Sequence, residues 1–192
     1  MHLMDRLTEI ANHIGTDKGT TAFCGHSYTI TYNELFEPLI TGHVKMLEIG
    51  VADPRFPGAS LKMWKEYFTD LEFVGYDINP DAKQFEQENM KVFIGDQNSP
   101  SDLAKCIEIY GAEFDIIMDD GSHHSEHILT SFKYLFPHLK SGGYYIIEDL
   151  HSVYSNAAFT IPEVSNIIEQ EQFNIKHLSN RHNGKMIVIN KA

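Results

Sequence analysis

The sequence predicts an α/β fold: a doubly wound, mostly parallel sheet of seven strands with a C-terminal antiparallel hairpin. Three observations carry that prediction. Short apolar runs alternate with segments of helical periodicity along most of the 192 residues, which is the pattern of a parallel sheet with helices on both faces and right-handed crossovers. Two of the runs, Phe114 to Met118 and Gly143 to Leu150, carry paired carboxylates at their ends, Asp119 with Asp120 and Glu148 with Asp149; buried parallel strands that deliver charge to the carboxyl edge of a sheet look like this. The tail then changes period. FNIKHL and KMIVIN are two short strands joined by SNRHNG, in which Asn183-Gly184 is a hairpin signal.

Taken in order, residues 3–13 place Leu3, Leu7, Ile10 and Ala11 on one face of a short helix. The Gly- and Thr-rich stretch that follows reads as a long loop over residues 16–31, ahead of a helical segment near Tyr32 to Leu39. Loops of this length serve as lids or binding segments, or stay solvated tethers. Asp17, Lys18, His26 and Tyr28 are the polar groups it can bring over a site, Tyr28 on the cofactor side. KMLEIG is the first strand, and Trp64, Tyr67 and Phe68 in the next helix read as core. LEFVGYD is a strand ending at Asp77, Pro80 to Glu88 a polar helix, and KVFIGDQ a shorter strand ending at Asp96. Helices are expected at Ser99 to Tyr110, at Ser125 to Leu135 with Ile128, Leu129, Phe132 and Leu135 on one face, and around Pro162 to Gln170. The length suits one domain over residues 1–192, with 1–40 as its N-terminal helix and lid segment.

Composition narrows the partners. A formal charge of −12 argues against nucleic acid or an anionic membrane surface. Cys24 and Cys106 are far apart and lack CxxC spacing, so they read as reduced thiols. The N-terminus has charges where a signal peptide needs an apolar region, and no run is long enough to span a bilayer. A cytoplasmic protein is expected.

The acid-tipped strands point to chemistry. Asp120, Glu148 and Asp149 on neighbouring strands cannot all stay ionised cheaply, and a hard divalent cation, Mg²⁺ or Mn²⁺, suits carboxylate oxygens. One such acid alone would read as a helix cap; three need a counter-charge. His123 and His127 have the i, i+4 spacing of helical zinc pairs, but HEXXH is absent, and His124 and His127 read as surface or supporting groups. On the first two strands, Glu48, Gly50 and an acid at Asp77 form a nucleotide-type pattern. Val51, Ala52, Asp53 and Pro54 follow Gly50 in place of GxGxxG. Pro54 lacks an N–H and Asp53 repels phosphate, so a ligand without phosphate is preferred. S-adenosylmethionine (SAM) is such a ligand, with Asp77 for its ribose and Asp96 with Gln97 near its adenine.

MLEIGV, SLKMW, VGYDI, GDQ, FDIIMDDGSHH, SFKYLFPHLKSGGYYIIEDL and, upstream, TDKG with HSY together resemble the class I SAM-dependent methyltransferases that methylate sugar hydroxyls, nearest to the macrolide-sugar O-methyltransferases of macrocin and mycinamicin type. The resemblance runs from about Gly15 to His151 and implies a Rossmann-like fold. It implies Asp120, Glu148 and Asp149 as ligands of Mg²⁺ and His123 as general base. It also implies Glu48, Gly50, Asp77, Asp96 and Asp119 along the SAM pocket. The acceptor it implies is a sugar-bearing small molecule, nucleotide sugar or glycan precursor. The loop GVADPRFPGASL departs from the family's shorter glycine-rich version, which bears on how the methionine end of SAM is held. No counterpart of the large N-terminal extension of some relatives is expected, so substrate and any homo-oligomeric state do not carry over. Two rivals stand beside this reading, a metal-dependent hydrolase and a non-catalytic SAM-binding module.

Overall fold

A computed structural model describes residues 4–22, 25–150, 161–182 and 185–192. Leu3, Cys24 and the hairpin turn expected at Asn183-Gly184 lie outside the described residues. Helix α1 (Arg6–Ile14) begins where the Asp5 side chain accepts the Thr8 amide at 2.8 Å, and it ends at Gly15 in the left-handed conformation, a cap pair of the kind worth about 1 kcal/mol at each end. Helix α2 (Tyr28–Phe36) buries Tyr28, Tyr32 and Phe36 completely. It therefore starts earlier than periodicity suggests and is a core element.

The sheet has the order β3-β2-β1-β4-β5-β7-β6, with β1 (His43–Ile49), β2 (Asp70–Asp77), β3 (Met90–Ile94), β4 (Phe114–Asp119), β5 (Leu139–Ile147), β6 (Ile175–Arg181) and β7 (Met186–Lys191). The first five are parallel neighbours, and β7 lies antiparallel between β5 and β6. Both faces are covered. On one face α1, α2 and α3 (Ala59–Tyr67) pack Leu7, Tyr32 and Trp64 over Met46, Phe73 and Met118. On the other, α4 (Pro100–Tyr110), α5 (Ser125–Leu135) and α6 (Ile161–Gln170) pack Leu103, Phe132 and Val164 over Leu47, Ile117 and Tyr145. Adjacent strand residues such as Met46 and Leu47 go to opposite cores, which is why the strands read as unbroken apolar runs. Each fully buried side chain of this size is worth about 1.5–3 kcal/mol.

One expected helix does not form. Pro80 to Phe85 makes only a 3-10 stretch, and the chain then turns through Gln87 and Met90 into β3. Among the residues of that stretch only Ala82 is buried, so no apolar stripe pays for a full helix there.

The strand order reverses between β1 and β4, and there the two strand ends nearly touch. Gly50 has φ +87°, and a Cβ placed on it would overlap the Asp120 carbonyl oxygen. Gly50→Ala is expected to lower unfolding free energy by more than about 2 kcal/mol, through left-handed strain and overlap with backbone, measured by denaturant titration. A change under about 0.5 kcal/mol would mean that the two strand ends separate freely.

Candidate active site

The carboxyl edge opens into a cleft of about 600 Å³ lined by residues 16–18, 49–56, 76–78, 95, 97, 120–123 and 149, with some interruptions. Its position at the reversal of strand order is where open α/β sheets bind ligands. Of the residues singled out from sequence, Gly50, Asp77, Gln97, Asp120, His123 and Asp149 line this cleft. Glu48, Asp96, Asp119, Glu148 and Tyr28 do not, and stand behind it as partners of residues that do.

The carboxylates divide by direction. Glu148 and Asp149 follow directly after β5, and Asp149 takes φ +53°. The two neighbouring side chains take different directions. Glu148 is buried, accepts Tyr32 Oη–H on one oxygen and meets Lys18 Nζ at 2.8 Å on the other. Asp149 faces the cleft, accepts Tyr28 Oη–H at 2.6 Å on Oδ1 and lies 3.6 Å from His26 Nε2 through Oδ2. Asp120, at the end of β4, meets Lys18 Nζ at 2.5 Å. His123 also has a left-handed backbone, φ +58°. Non-glycine residues held there cost about 1–3 kcal/mol each and gather at functional sites. Among the described residues, ligand atoms of Asp120, His123 and Asp149 all lie within 4.8 Å of one another and form a group able to hold a metal ion.

Lys18 is the residue that sequence reasoning named in the loop without giving it a place. It is 1% exposed and touches Asp120 and Glu148, with Glu48 Oε1 at 3.6 Å. Burial opposes its charge, but Asp120, Glu148 and Glu48 hold the ammonium well above its ordinary range. Burial pushes Glu148 and Asp120 upward as well, against the pull of Lys18. The two rises have different causes: the surrounding acids hold the proton on Lys18, whereas burial is what chiefly raises Asp120 and Glu148. The surplus of acids was itself the signal for a buried cation.

The remaining residues build the cleft wall. Asp77 Oδ2 accepts the Val51 and Ala52 amides at 2.9 and 2.8 Å, and Oδ1 accepts the Asn79 amide. The amides that would cradle a pyrophosphate are thus already engaged. Asp119 is buried and pushed up by that burial, and it is held by Ser131 Oγ–H and by Gln97 Nε2–H at 3.1 Å. Gln97 Oε1 in turn accepts the Ser122 amide at 2.7 Å, so Asp119 fixes the turn that carries Asp120 and His123. Asp96 accepts the Asn98 amide. His127 pairs with Ser122 Oγ at 2.8 Å.

Glu48 accepts Trp64 Nε1–H at 3.0 Å, and its other oxygen has no hydrogen-bond partner. Burial raises it from 4.5 to about 7, with Lys18 opposing the rise. The folded chain therefore keeps a proton that the unfolded chain has released, and metal-free stability should fall as pH climbs from about 4.5 to about 7. Glu48→Gln should show a smaller decline in melting temperature across that window. An unchanged decline would place the titration elsewhere.

No protein-family model matches the chain. Over 132 residues, 67% of the chain, it is 42% identical to demethylmacrocin O-methyltransferase of Streptomyces fradiae, covering 33% of that protein. It is 39% identical over the same length to mycinamicin VI 2''-O-methyltransferase of Micromonospora griseorubida, again covering 33%. The chain thus spans about a third of the curated relatives it matches. Among solved structures it is similar to a methyltransferase of the mycinamycin biosynthetic pathway in complex with Mg, SAH and mycinamycin VI, with TM-score 0.83 and 29% identity over 98% of this chain and 55% of that one. The chain has the fold of a class I SAM-dependent methyltransferase and resembles the macrolide-sugar O-methyltransferases in sequence.

Proposed function

We propose that the chain is a Mg²⁺- and SAM-dependent O-methyltransferase acting on a sugar hydroxyl of a small molecule, nucleotide sugar or glycan precursor, in a cytoplasmic setting. The observation that carries this reading is one cleft with two unlike ends. At one end the loop after β1 is tied down by Asp77, beside Gly50 and Gln97, and offers no free amides at Val51 and Ala52 for a phosphate. That suits a donor without phosphate. At the other end Asp120 and Asp149 present carboxylates within 4.8 Å of each other and of His123, a hard-donor set that suits Mg²⁺ or Mn²⁺. Glu148 completes the acid group from behind Asp120. A hydrolytic metal site would leave the first end without a task.

When bound, the sulfonium donor supplies an activated methyl and the divalent ion supplies acidity to a nearby hydroxyl. The chain's own residues do the rest. Asp120 and Asp149 fix the position of that end of the cleft, and Tyr28 Oη and the Tyr32–Glu148 pair brace them from α2. His123, on the turn pinned by Gln97 and Asp119, takes the hydroxyl proton at a ring nitrogen. The Asp77 carboxylate and the Gly50 turn orient the donor wall, with Glu48 and Asp96 supporting it.

Methyl transfer from SAM to sugar-bearing acceptors, assayed with Mg²⁺ and after EDTA, is the direct test, with SAM binding followed by calorimetry. His123→Ala should lower kcat about 10²- to 10⁴-fold while SAM affinity stays within about threefold, and Asp120→Asn should abolish metal-dependent turnover. A chain that binds no SAM, or transfers methyl equally well in EDTA, contradicts the reading.

A further inference from the structure

Mg²⁺-dependent transfer gives no role to the ammonium buried among the acids. Lys18 Nζ lies 2.5 Å from Asp120 Oδ2, 2.8 Å from Glu148 Oε2 and 3.6 Å from Glu48 Oε1, with almost no exposure. Asp120 is thus claimed from two sides, by Lys18 and by the group it forms with His123 and Asp149. The lysine is delivered by a braced loop. The Lys18 carbonyl accepts the Thr29 amide at 3.1 Å, and the His26 and Ser27 amides donate to Asp17 and Gly19 at 2.7 and 2.9 Å.

We propose that Lys18 is a built-in cation of the acid cluster, which competes with the divalent ion for Asp120 and so sets how tightly the metal is held. The proposal rests on the reading of Asp120 and Asp149 as metal ligands. Without metal, the acids would face one another in a buried site, which folding tolerates only with a counter-charge; Lys18 supplies it and the cleft keeps its shape. With metal, two cations share one carboxylate and stand within roughly 5 Å, where the repulsion of a unit charge on a double one weakens binding about tenfold even at the dielectric of water. The coupling is reciprocal. A metal ion held by Asp120 loosens Lys18, and with it the loop hydrogen bonds from residues 17–19 to residues 26–29. The metal stays exchangeable as a result.

The test is calorimetric titration of Mn²⁺ into the metal-free chain and into Lys18→Met. The variant is expected to bind Mn²⁺ at least about tenfold more tightly than the unaltered chain, a direction that damage to the fold would not produce. Equal or weaker binding by the variant, with the unaltered chain still binding Mn²⁺, overturns the role of Lys18 and leaves the metal reading standing. Absence of Mn²⁺ binding by the unaltered chain overturns both. If Lys18→Met does not fold, hydrogen exchange of the unaltered chain decides. Saturating Mn²⁺ should speed exchange at the Gly19, His26, Ser27 and Thr29 amides several-fold, and exchange that is unchanged or slower overturns the competition.

Discussion

More carboxylates converge on the carboxyl edge of this sheet than one protein cation neutralises, and the rest of the structure is arranged around that excess. The convergence comes from topology. The parallel β4 and β5 must end at the same edge, so Asp120 and Glu148 with Asp149 meet there whatever the intervening helix does. The fold manages the charge by sorting the acids. Asp119 is hydrogen-bonded locally by Ser131 and Gln97, Glu148 is paired with Lys18 and hydrogen-bonded by Tyr32, and Asp120 and Asp149 line the cleft.

The N-terminal segment belongs to the site as much as the strands do. Lys18 and Tyr28 reach Asp120 and Asp149 over 102 and 121 residues of sequence, and Tyr32 reaches Glu148 over 116. An ammonium and two phenols spaced along a loop and the start of α2 thus close over acids supplied by two strands. His26 stacks on Tyr28 at 5.0 Å between ring centroids and adds a group beside Asp149. The loop expected to lie over the site is in contact with it through residues that are buried.

The sheet was legible because each strand is buried on both faces and so appears as an unbroken apolar run, as at Phe114 to Met118. The acids were legible because they interrupt such runs. Other features depend on geometry that residue type does not announce. Glu148 and Asp149 were indistinguishable as neighbours, and only the assembled edge places one against Lys18 and Tyr32 and the other on the cleft beside Tyr28. Lys18 sits in a polar, Gly-rich loop that looks like any solvated tether, and its place emerges only when charge is balanced over the assembled edge. The segment from Pro80 had a helix-like start, but its failure to form a full helix reflects missing apolar partners, which is a property of the packing around it.

One cleft is proposed to hold a sulfonium donor and a divalent ion side by side, the donor along the Gly50 and Asp77 wall and the ion at Asp120 and Asp149. A crystal structure of the chain with Mn²⁺ and S-adenosylhomocysteine, with anomalous scattering collected for manganese, tests it most directly. An anomalous peak bonded to Asp120 and Asp149 is expected, with the nucleoside lying along the Gly50 to Ala52 wall beside Asp77 and Gln97. Manganese absent from that edge, or the nucleoside bound outside this cleft, would contradict it.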